Sequence, residues 1–251
     1  MTTPTALLSA QGMVRRFGGL VAVDQVCIDL VLGEIHAVIG TNGAGKSTLV
    51  NLLAGELRAD AGRVELMGED VTGWGQAKRA RAGIGRSYQR SNIFADFTVL
   101  ENCRLAAQAK HQSPFDWVTP AAHCELSTGL AQAAVARAGL SDLMERLAGE
   151  LSHGQQRQLE VAMCLAIEPR VLLLDEPLAG MGGEETERML ELLRQLKADH
   201  AILLIEHDMD AVFRVSDRIT VMVNGQVIAS GSPVEVRHDP QVQLAYLGEQ
   251  L

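Results

Sequence analysis

The chain has 251 residues, of which 47% are hydrophobic, so it can bury one large core but not several. Its 22 basic residues are outnumbered by 31 acidic ones, and the net charge of -9 argues against nucleic-acid partners, whose phosphates attract an excess of Lys and Arg. No apolar run approaches the roughly 20 residues of a membrane span, and the first residues lack the pattern of a secretory signal. The four cysteines form no CxxC pair, which favours reduced thiols.

Strand-like segments dominate the N-terminal part of the chain. The first thirty-odd residues are typical of β structure, with turns at Gly18 and Gly33. A short apolar strand over 35–40 leads into a glycine-rich loop, and a helix over 46–55 follows it. Residues 63–71 predict a further strand and turn.

Residues 98–168 differ because they are rich in Ala and Leu and contain few β-branched runs. Thr98 and Glu101 have the spacing of a capping box, in which each side chain bonds a free backbone amide at the start of a helix. Further helices are predicted over 122–140 and 141–148. We therefore expect a helical lobe inserted into an α/β core.

The α/β pattern resumes after this lobe. Buried strands are predicted over 171–175 and 201–206, with an amphipathic helix over 184–199 between them. An Asn-Gly pair signals a hairpin over 219–230. Strands that alternate with helices imply a mostly parallel sheet with helices on both faces.

A phosphate-binding loop is predicted between the strand over 35–40 and the helix that follows it. The pattern GxxxxGK[ST] occupies Gly40, Thr41, Asn42, Gly43, Ala44, Gly45, Lys46 and Ser47, and Thr48 follows it in the same loop and helix start. Glycines allow successive N–H groups to turn inward around a phosphate, and the helix N-terminus adds partial positive charge. Lys46 can bridge the β- and γ-phosphates, and the Ser47 hydroxyl can bind Mg²⁺.

Two acidic residues supply the second half of this site. Asp175 ends a buried apolar strand, where a carboxylate is costly without a cation, so Mg²⁺, reached through water, is its natural partner. Glu176 follows and would point past the metal toward a γ-phosphate, where it could orient the attacking water. The chemistry expected from these residues is phosphoryl transfer to water with Mg²⁺.

A third motif, LSHGQ, precedes Asp175 and starts at Leu151. By itself, Ser152 with Gln155 is a capping box that opens a helix. Together with the phosphate loop and the acidic pair, it resembles the ATP-binding cassette (ABC) family, whose signature LSGGQ lies just upstream of the second phosphate-site motif. His153 replaces the commonest glycine, whereas Ser152, Gly154 and Gln155 are retained.

The resemblance covers nearly the whole chain and implies roles for further residues. Adenine would stack on Phe17, Gln89 would reach Mg²⁺ and link core to lobe, and His207 would contact the γ-phosphate. Ser152, Gly154 and Gln155 would face the nucleotide of a second cassette. Many cassettes have Asp where this chain has Gly182, and that Asp helps to couple the two ATP sites, so the glycine puts this coupling in doubt.

The implied fold is a single ABC ATPase domain over 1–251. It is an α/β fold with a mostly parallel P-loop NTPase core (about 1–97 and 169–251), an antiparallel N-terminal β subdomain, and an inserted α-helical subdomain at about 98–168.

Four segments resemble one branch, the ATPase subunits of bacterial importers for branched-chain and other hydrophobic amino acids: 15–26, 59–73, 84–108 and 231–251. A neighbouring branch serves urea and short amides.

The resemblance also implies partners and a location. The second ATPase subunit would be an identical or related chain, and integral membrane permease subunits would dock on the helical lobe and the Gln89 segment. A solute-binding protein outside the membrane would act through the permease. The expected location is the cytoplasmic face of the bacterial inner membrane.

Two other classes compete with this interpretation. Soluble cassettes acting on DNA or ribosomes carry long coiled coils between the two phosphate motifs or two cassettes in one chain, and this sequence has neither. P-loop kinases lack the LSxGQ element, and ATP hydrolysis without an acceptor would exclude them.

Overall fold

The computed structural model describes residues 6–88, 92–111 and 124–247. The strands are β1 (Ala6–Phe17), β2 (Leu20–Val31), β3 (Ile35–Gly40), β4 (Ala61–Leu66), β5 (Glu69–Asp70), β6 (Ile84–Arg86), β7 (Val171–Asp175), β8 (Ala201–Ile205), β9 (Arg218–Val223) and β10 (Gln226–Gly231). The helices are α1 (Lys46–Ala54), α2 (Gln76–Arg81), α3 (Val99–His111), α4 (Glu125–Arg137), α5 (His153–Ala166), α6 (Gly183–Leu196), α7 (Met209–Val215), α8 (Pro233–His238) and α9 (Pro240–Leu247). None of the helices in these ranges is both long enough and apolar enough to cross a membrane.

A six-stranded sheet forms the centre of the fold, in the order β10-β9-β3-β8-β7-β6. Its strands are parallel except for β10, which pairs antiparallel with β9. Every residue of β7 and β8 is buried, which explains their unbroken apolar sequences. Because β3, β8 and β7 are parallel neighbours, the residues that follow their carboxyl ends come together at one edge of the sheet.

A second, antiparallel sheet in the order β2-β1-β4-β5 confirms the predicted N-terminal β subdomain. Val26, Ile28 and Leu30 alternate along β2 and are all buried. They share one hydrophobic cluster with Leu49 and Leu53 of α1. The β subdomain therefore packs against the helix that follows the glycine-rich loop.

The helices α3, α4 and α5 pack on one another within the region predicted as a lobe. The predicted capping box at the start of α3 is present, with Thr98 N and Glu101 N each bonded to the other residue's side chain. The small buried side chains Ala107, Ala131 and Ala134 allow α3 and α4 to approach closely. The exact division between core and lobe stays a prediction.

The prediction of a helix over 141–148 is wrong. This segment forms a 3₁₀ helix at Ser141–Leu143, then a turn, a bend and an isolated β-bridge from Leu147 to Thr98, and a second 3₁₀ helix starts at Ala148. The carbonyl groups of Met144 and Arg146 accept hydrogen bonds from the first two amides of α3 at 3.0 Å. Since these carbonyls serve as backbone caps for α3, they are not available for an α-helix of their own.

Candidate nucleotide-binding site

The loop predicted to bind phosphate joins β3 to α1. The Lys46 ammonium donates hydrogen bonds to the carbonyl oxygens of Gly40 at 2.7 Å and Thr41 at 3.0 Å, so it lies across the loop. Burial lowers the pKa of Lys46, and the nearby carboxylates of Glu176 and Asp175 act in the opposite direction. The three charged side chains predicted from separate parts of the sequence therefore lie close together.

Gly45 is required by two independent features of the loop. Its φ of 100° lies in the left-handed region, and a Cβ at this position would lie 2.1 Å from the carbonyl oxygen of Ala22. Ala22 belongs to β2, so the β1–β2 hairpin lies against the loop. Phe17 ends β1 at the tip of this hairpin, with 45% of its surface exposed and the Arg15 guanidinium 4.8 Å from its ring centroid.

The first turn of α1 is open to an anion. Among the described residues no side chain caps this helix, whose N-cap residue is Gly45. The Ser47 side chain in this first turn is exposed. Free N–H groups and the helix dipole make such a terminus a favourable site for phosphate.

Asp175 lies at the carboxyl end of β7 and is only 4% exposed. Its N–H donates to the Ser87 hydroxyl at 3.1 Å, whereas its Oδ1 is buried without a hydrogen-bond partner in the described part of the chain. Burial raises the pKa of Asp175, and the adjacent Glu176 raises it further, against the opposing effects of Arg86 and Lys46. A buried acceptor oxygen without a donor fits a hard cation such as Mg²⁺, which prefers carboxylate ligands.

This burial has a consequence for stability. A raised pKa means that the folded protein holds the Asp175 proton more tightly than the unfolded chain, so stability is lost as pH rises through the folded-state pKa. We expect Asp175→Asn to raise the melting temperature at neutral pH in metal-free buffer by about 2–4 °C, and the gain to shrink as pH falls toward about 4. Calorimetry should show no such gain for the exposed control Asp96→Asn. A lower midpoint for Asp175→Asn would contradict the assigned burial cost.

Glu176 has an unusual backbone conformation for a residue with a side chain. Its φ is 52°, and its N–H donates to the Ile205 carbonyl at the end of β8 at 2.9 Å. Such left-handed residues are costly and are often found at functional sites. The conformation places the Glu176 carboxylate 4.0 Å from Nδ1 of His207, which follows the adjacent strand.

A second carboxylate at this edge was missed by the sequence analysis. Glu206 is 1% exposed and accepts hydrogen bonds from the backbone amides of Leu178 at 2.7 Å and His207 at 3.2 Å. The Glu206 side chain therefore joins the loop that follows β7 to the loop that follows β8. The available signal was an acidic residue directly after an apolar strand, the same pattern that identified Asp175.

The LSHGQ segment forms the predicted capping box at the start of α5. Ser152 Oγ accepts from the Gln155 amide at 3.3 Å, and Gln155 Oε1 accepts from the Ser152 amide at 2.9 Å. His153 Nε2 donates to the Ala179 carbonyl at 2.9 Å, which gives the unusual histidine a structural contact. Within the described ranges no hydrogen bond or ion pair joins this helix start to residues 40–48 of the same chain.

Two further predicted positions have different outcomes. Gln89 lies outside the described residues. Gly182 is the N-cap of α6 in an ordinary extended conformation, and its amide donates to Glu185 Oε2 at 3.4 Å. Glu185 thus makes one half of a capping box, whereas Gly182 has no side chain with which to accept a hydrogen bond from the first turn of α6.

Comparisons with known proteins agree with this arrangement. The ABC transporter family model matches residues 23–179, more than half of the chain, and a model of branched-chain amino acid ATP-binding cassette transporters matches residues 226–251. The high-affinity branched-chain amino acid transport ATP-binding protein LivG of Escherichia coli K12 is 40% identical over 97% of this chain and 98% of its own length.

Two more similarities extend over a comparable length. BraF of Pseudomonas aeruginosa, with the same descriptive name as LivG, is 38% identical over 97% of this chain and 98% of its own. A crystal structure of the ADP conformation of an ATP-binding cassette of an ABC transporter superposes with a TM-score of 0.87, at 34% identity, over 97% of this chain and 99% of that one. With its phosphate loop, acidic pair and LSxGQ helix in the arrangement described above, this chain belongs to the ABC transporter family and is an ATP hydrolase of the cassette type.

Proposed function

We propose that this chain binds and hydrolyses ATP to power the uptake of branched-chain and other hydrophobic amino acids. The observation that carries the solute assignment is the match of residues 226–251 to the branched-chain family model, together with near-full-length identity to LivG and BraF. The observation that supports ATP hydrolysis as the source of free energy is the convergence of Lys46, Asp175 and Glu176 at one edge of the central sheet.

The loop Gly40–Thr48 and Phe17 hold the nucleotide. The amides of the loop and of the first turn of α1 bind the phosphates, and Lys46 neutralises the charge of the β- and γ-phosphates. The exposed ring of Phe17, at the tip of the hairpin that lies against the loop, stacks on adenine.

Ser47, Asp175 and Gln89 hold Mg²⁺. The orphaned Oδ1 of Asp175 is the feature of the structure that best fits a cation. When bound, the metal supplies positive charge against the phosphate oxygens as charge develops during hydrolysis. Asp175 is fixed for this task because its amide is bonded to Ser87.

Glu176 and His207 act on the γ-phosphate side. Glu176 accepts a hydrogen bond from the attacking water and orients it in line with the phosphate. His207 contacts the γ-phosphate, and the Glu206 carboxylate fixes the His207 backbone by accepting a hydrogen bond from its amide. The left-handed conformation of Glu176 directs its side chain toward this histidine.

Hydrolysis requires a second ATPase subunit, identical or related. Ser152, Gly154 and Gln155, which within the described residues make no hydrogen bond to the loop 40–48 of their own chain, face the nucleotide held by the partner. One ATP is thus held between two subunits, and the γ-phosphate gains contacts from both.

The free energy of ATP hydrolysis drives the membrane permease subunits. A mostly apolar cleft of about 260 Å³ between α3, α5 and the segment Arg86–Tyr88 offers a surface on which they can dock. The chain then lies at the cytoplasmic face of the bacterial inner membrane, and a solute-binding protein on the far side selects the solute. With a net charge of -9, we propose no nucleic-acid partner.

Uptake measurements test the solute assignment. Deleting the gene is expected to lower the uptake of radiolabelled leucine, isoleucine and valine, and re-expression of the wild-type chain but not of Glu176→Gln should restore it. Urea uptake is the matched comparison. If only urea uptake fell, the urea and short-amide branch would replace this proposal.

A further inference from the structure

The Glu185 side chain of the same chain occupies the start of α5. Glu185, in the first turn of α6, accepts a hydrogen bond from the Ser152 hydroxyl at 2.9 Å and also bonds the Gly154 amide. A Cβ at position 154 would lie 2.4 Å from the Glu185 carboxyl carbon, so only glycine allows this close approach. The Glu185 carboxylate is therefore fitted tightly onto the helix start.

The negative charge of the Glu185 carboxylate is favoured by the helix N-termini that surround it. The carboxylate also accepts from the Gly182 amide, so it lies between the N-termini of α5 and α6, each of 14 residues. Helix N-termini favour negative charge. The Ser152 hydrogen bond, followed by the bonds from Gly182 and Gly154, lowers the pKa of Glu185, which keeps it ionised at neutral pH.

The donors that Glu185 uses are those that the γ-phosphate of a partner's nucleotide needs under the proposed function. The Ser152 hydroxyl has one proton to donate, and the Gly154 amide has one. Two anions at the same donors would also repel each other. Glu185 must therefore release Ser152 and Gly154 before the partner's phosphate can bind, and its flexible side chain can swing toward solvent without movement of α6.

We propose that Glu185 is an internal anionic competitor. Its carboxylate occupies the hydrogen-bond donors at the start of α5 and keeps the partner's γ-phosphate from binding there until ATP displaces it. This inference rests on the proposed two-cassette arrangement. It assigns Glu185 a positioning role and makes the ATP concentration needed for pairing depend on the charge of one side chain.

Association measurements in a slowly hydrolysing background test this role. In the Glu176→Gln protein, size-exclusion chromatography with light scattering would follow dimer formation as MgATP is increased. Glu185→Gln keeps the side-chain shape and the ability to cap α6, since Gln also serves at this position of a capping box, but it removes the charge. Glu184→Gln is the matched control, because Glu184 carries the same charge in the same turn and is exposed.

The expected result is that Glu185→Gln lowers the ATP concentration for half-maximal association by about three- to tenfold, as a charge-assisted competitor becomes a neutral one. Glu184→Gln should change it by less than about twofold. The melting temperatures of the two variants should agree, which shows that the difference does not come from folding. An equal or higher ATP requirement for Glu185→Gln than for Glu184→Gln would overturn the inference.

The same titration separates this inference from the proposed function. If the Glu176→Gln background itself showed no association at any ATP concentration, the pairing of two identical chains around ATP would be overturned, and with it the role of Glu185 in such a pair. If the background associated but Glu185→Gln had no effect, only the role of Glu185 would be overturned.

Discussion

Replacing Glu176 with glutamine is expected to leave ATP binding intact and to lower steady-state hydrolysis by about 10²-fold or more. The amide keeps the size of the side chain but loses the negative charge that orients the attacking water. The Glu176 carboxylate is 24% exposed and lies 4.0 Å from His207 Nδ1, at the edge where β3, β8 and β7 end.

Binding and turnover must be measured on the same preparation. Calorimetric titration with ATP should give wild-type affinity, and phosphate release should show the loss of rate. Glu191→Gln, an exposed position at the far side of α6, should hydrolyse ATP at the wild-type rate. Unchanged turnover of Glu176→Gln would remove Glu176 from the proposed mechanism, and loss of binding would show that it holds the nucleotide instead.

Two inactive variants, Lys46→Ala and Ser152→Arg, are expected to recover hydrolysis when they are mixed. Lys46 contacts the loop carbonyls of Gly40 and Thr41, and under the proposed function it neutralises phosphate charge, so its loss should weaken ATP binding and turnover in the same chain. An arginine at position 152 would pair with Glu185 and block the start of α5. Each variant alone should have little activity because both sites of its dimer are damaged.

The mixture differs because each dimer of two different variants has one intact site. Its Lys46 comes from the Ser152→Arg chain, and its Ser152 comes from the Lys46→Ala chain. With random pairing, half of the dimers are mixed and each has one working site of two, so about a quarter of wild-type activity is expected. No recovery despite a demonstrated mixed dimer would contradict the action of Ser152 across the interface.

The sequence by itself determined the parts of the site that are continuous in the chain. The loop Gly40–Thr48 depends on neighbouring glycines and a strand–loop–helix context, and both are local. The capping boxes at Thr98 and Ser152 also depend on residues three positions apart, which a helix start brings together regardless of the rest of the fold. Asp175 was identifiable because a carboxylate at the end of a buried strand needs a partner.

Only the tertiary structure decided how these parts meet. The order β3-β8-β7-β6 places the ends of strands far apart in sequence side by side, and this brings the Glu206 carboxylate to the Leu178 amide and the Ser87 hydroxyl to the Asp175 amide. The segment 141–148 has a helical composition, yet two of its carbonyls accept hydrogen bonds from Val99 and Leu100, the first two amides of α3. Glu185 bonds Ser152 across 33 positions of sequence because α5 and α6 start side by side, and no local pattern specifies that contact.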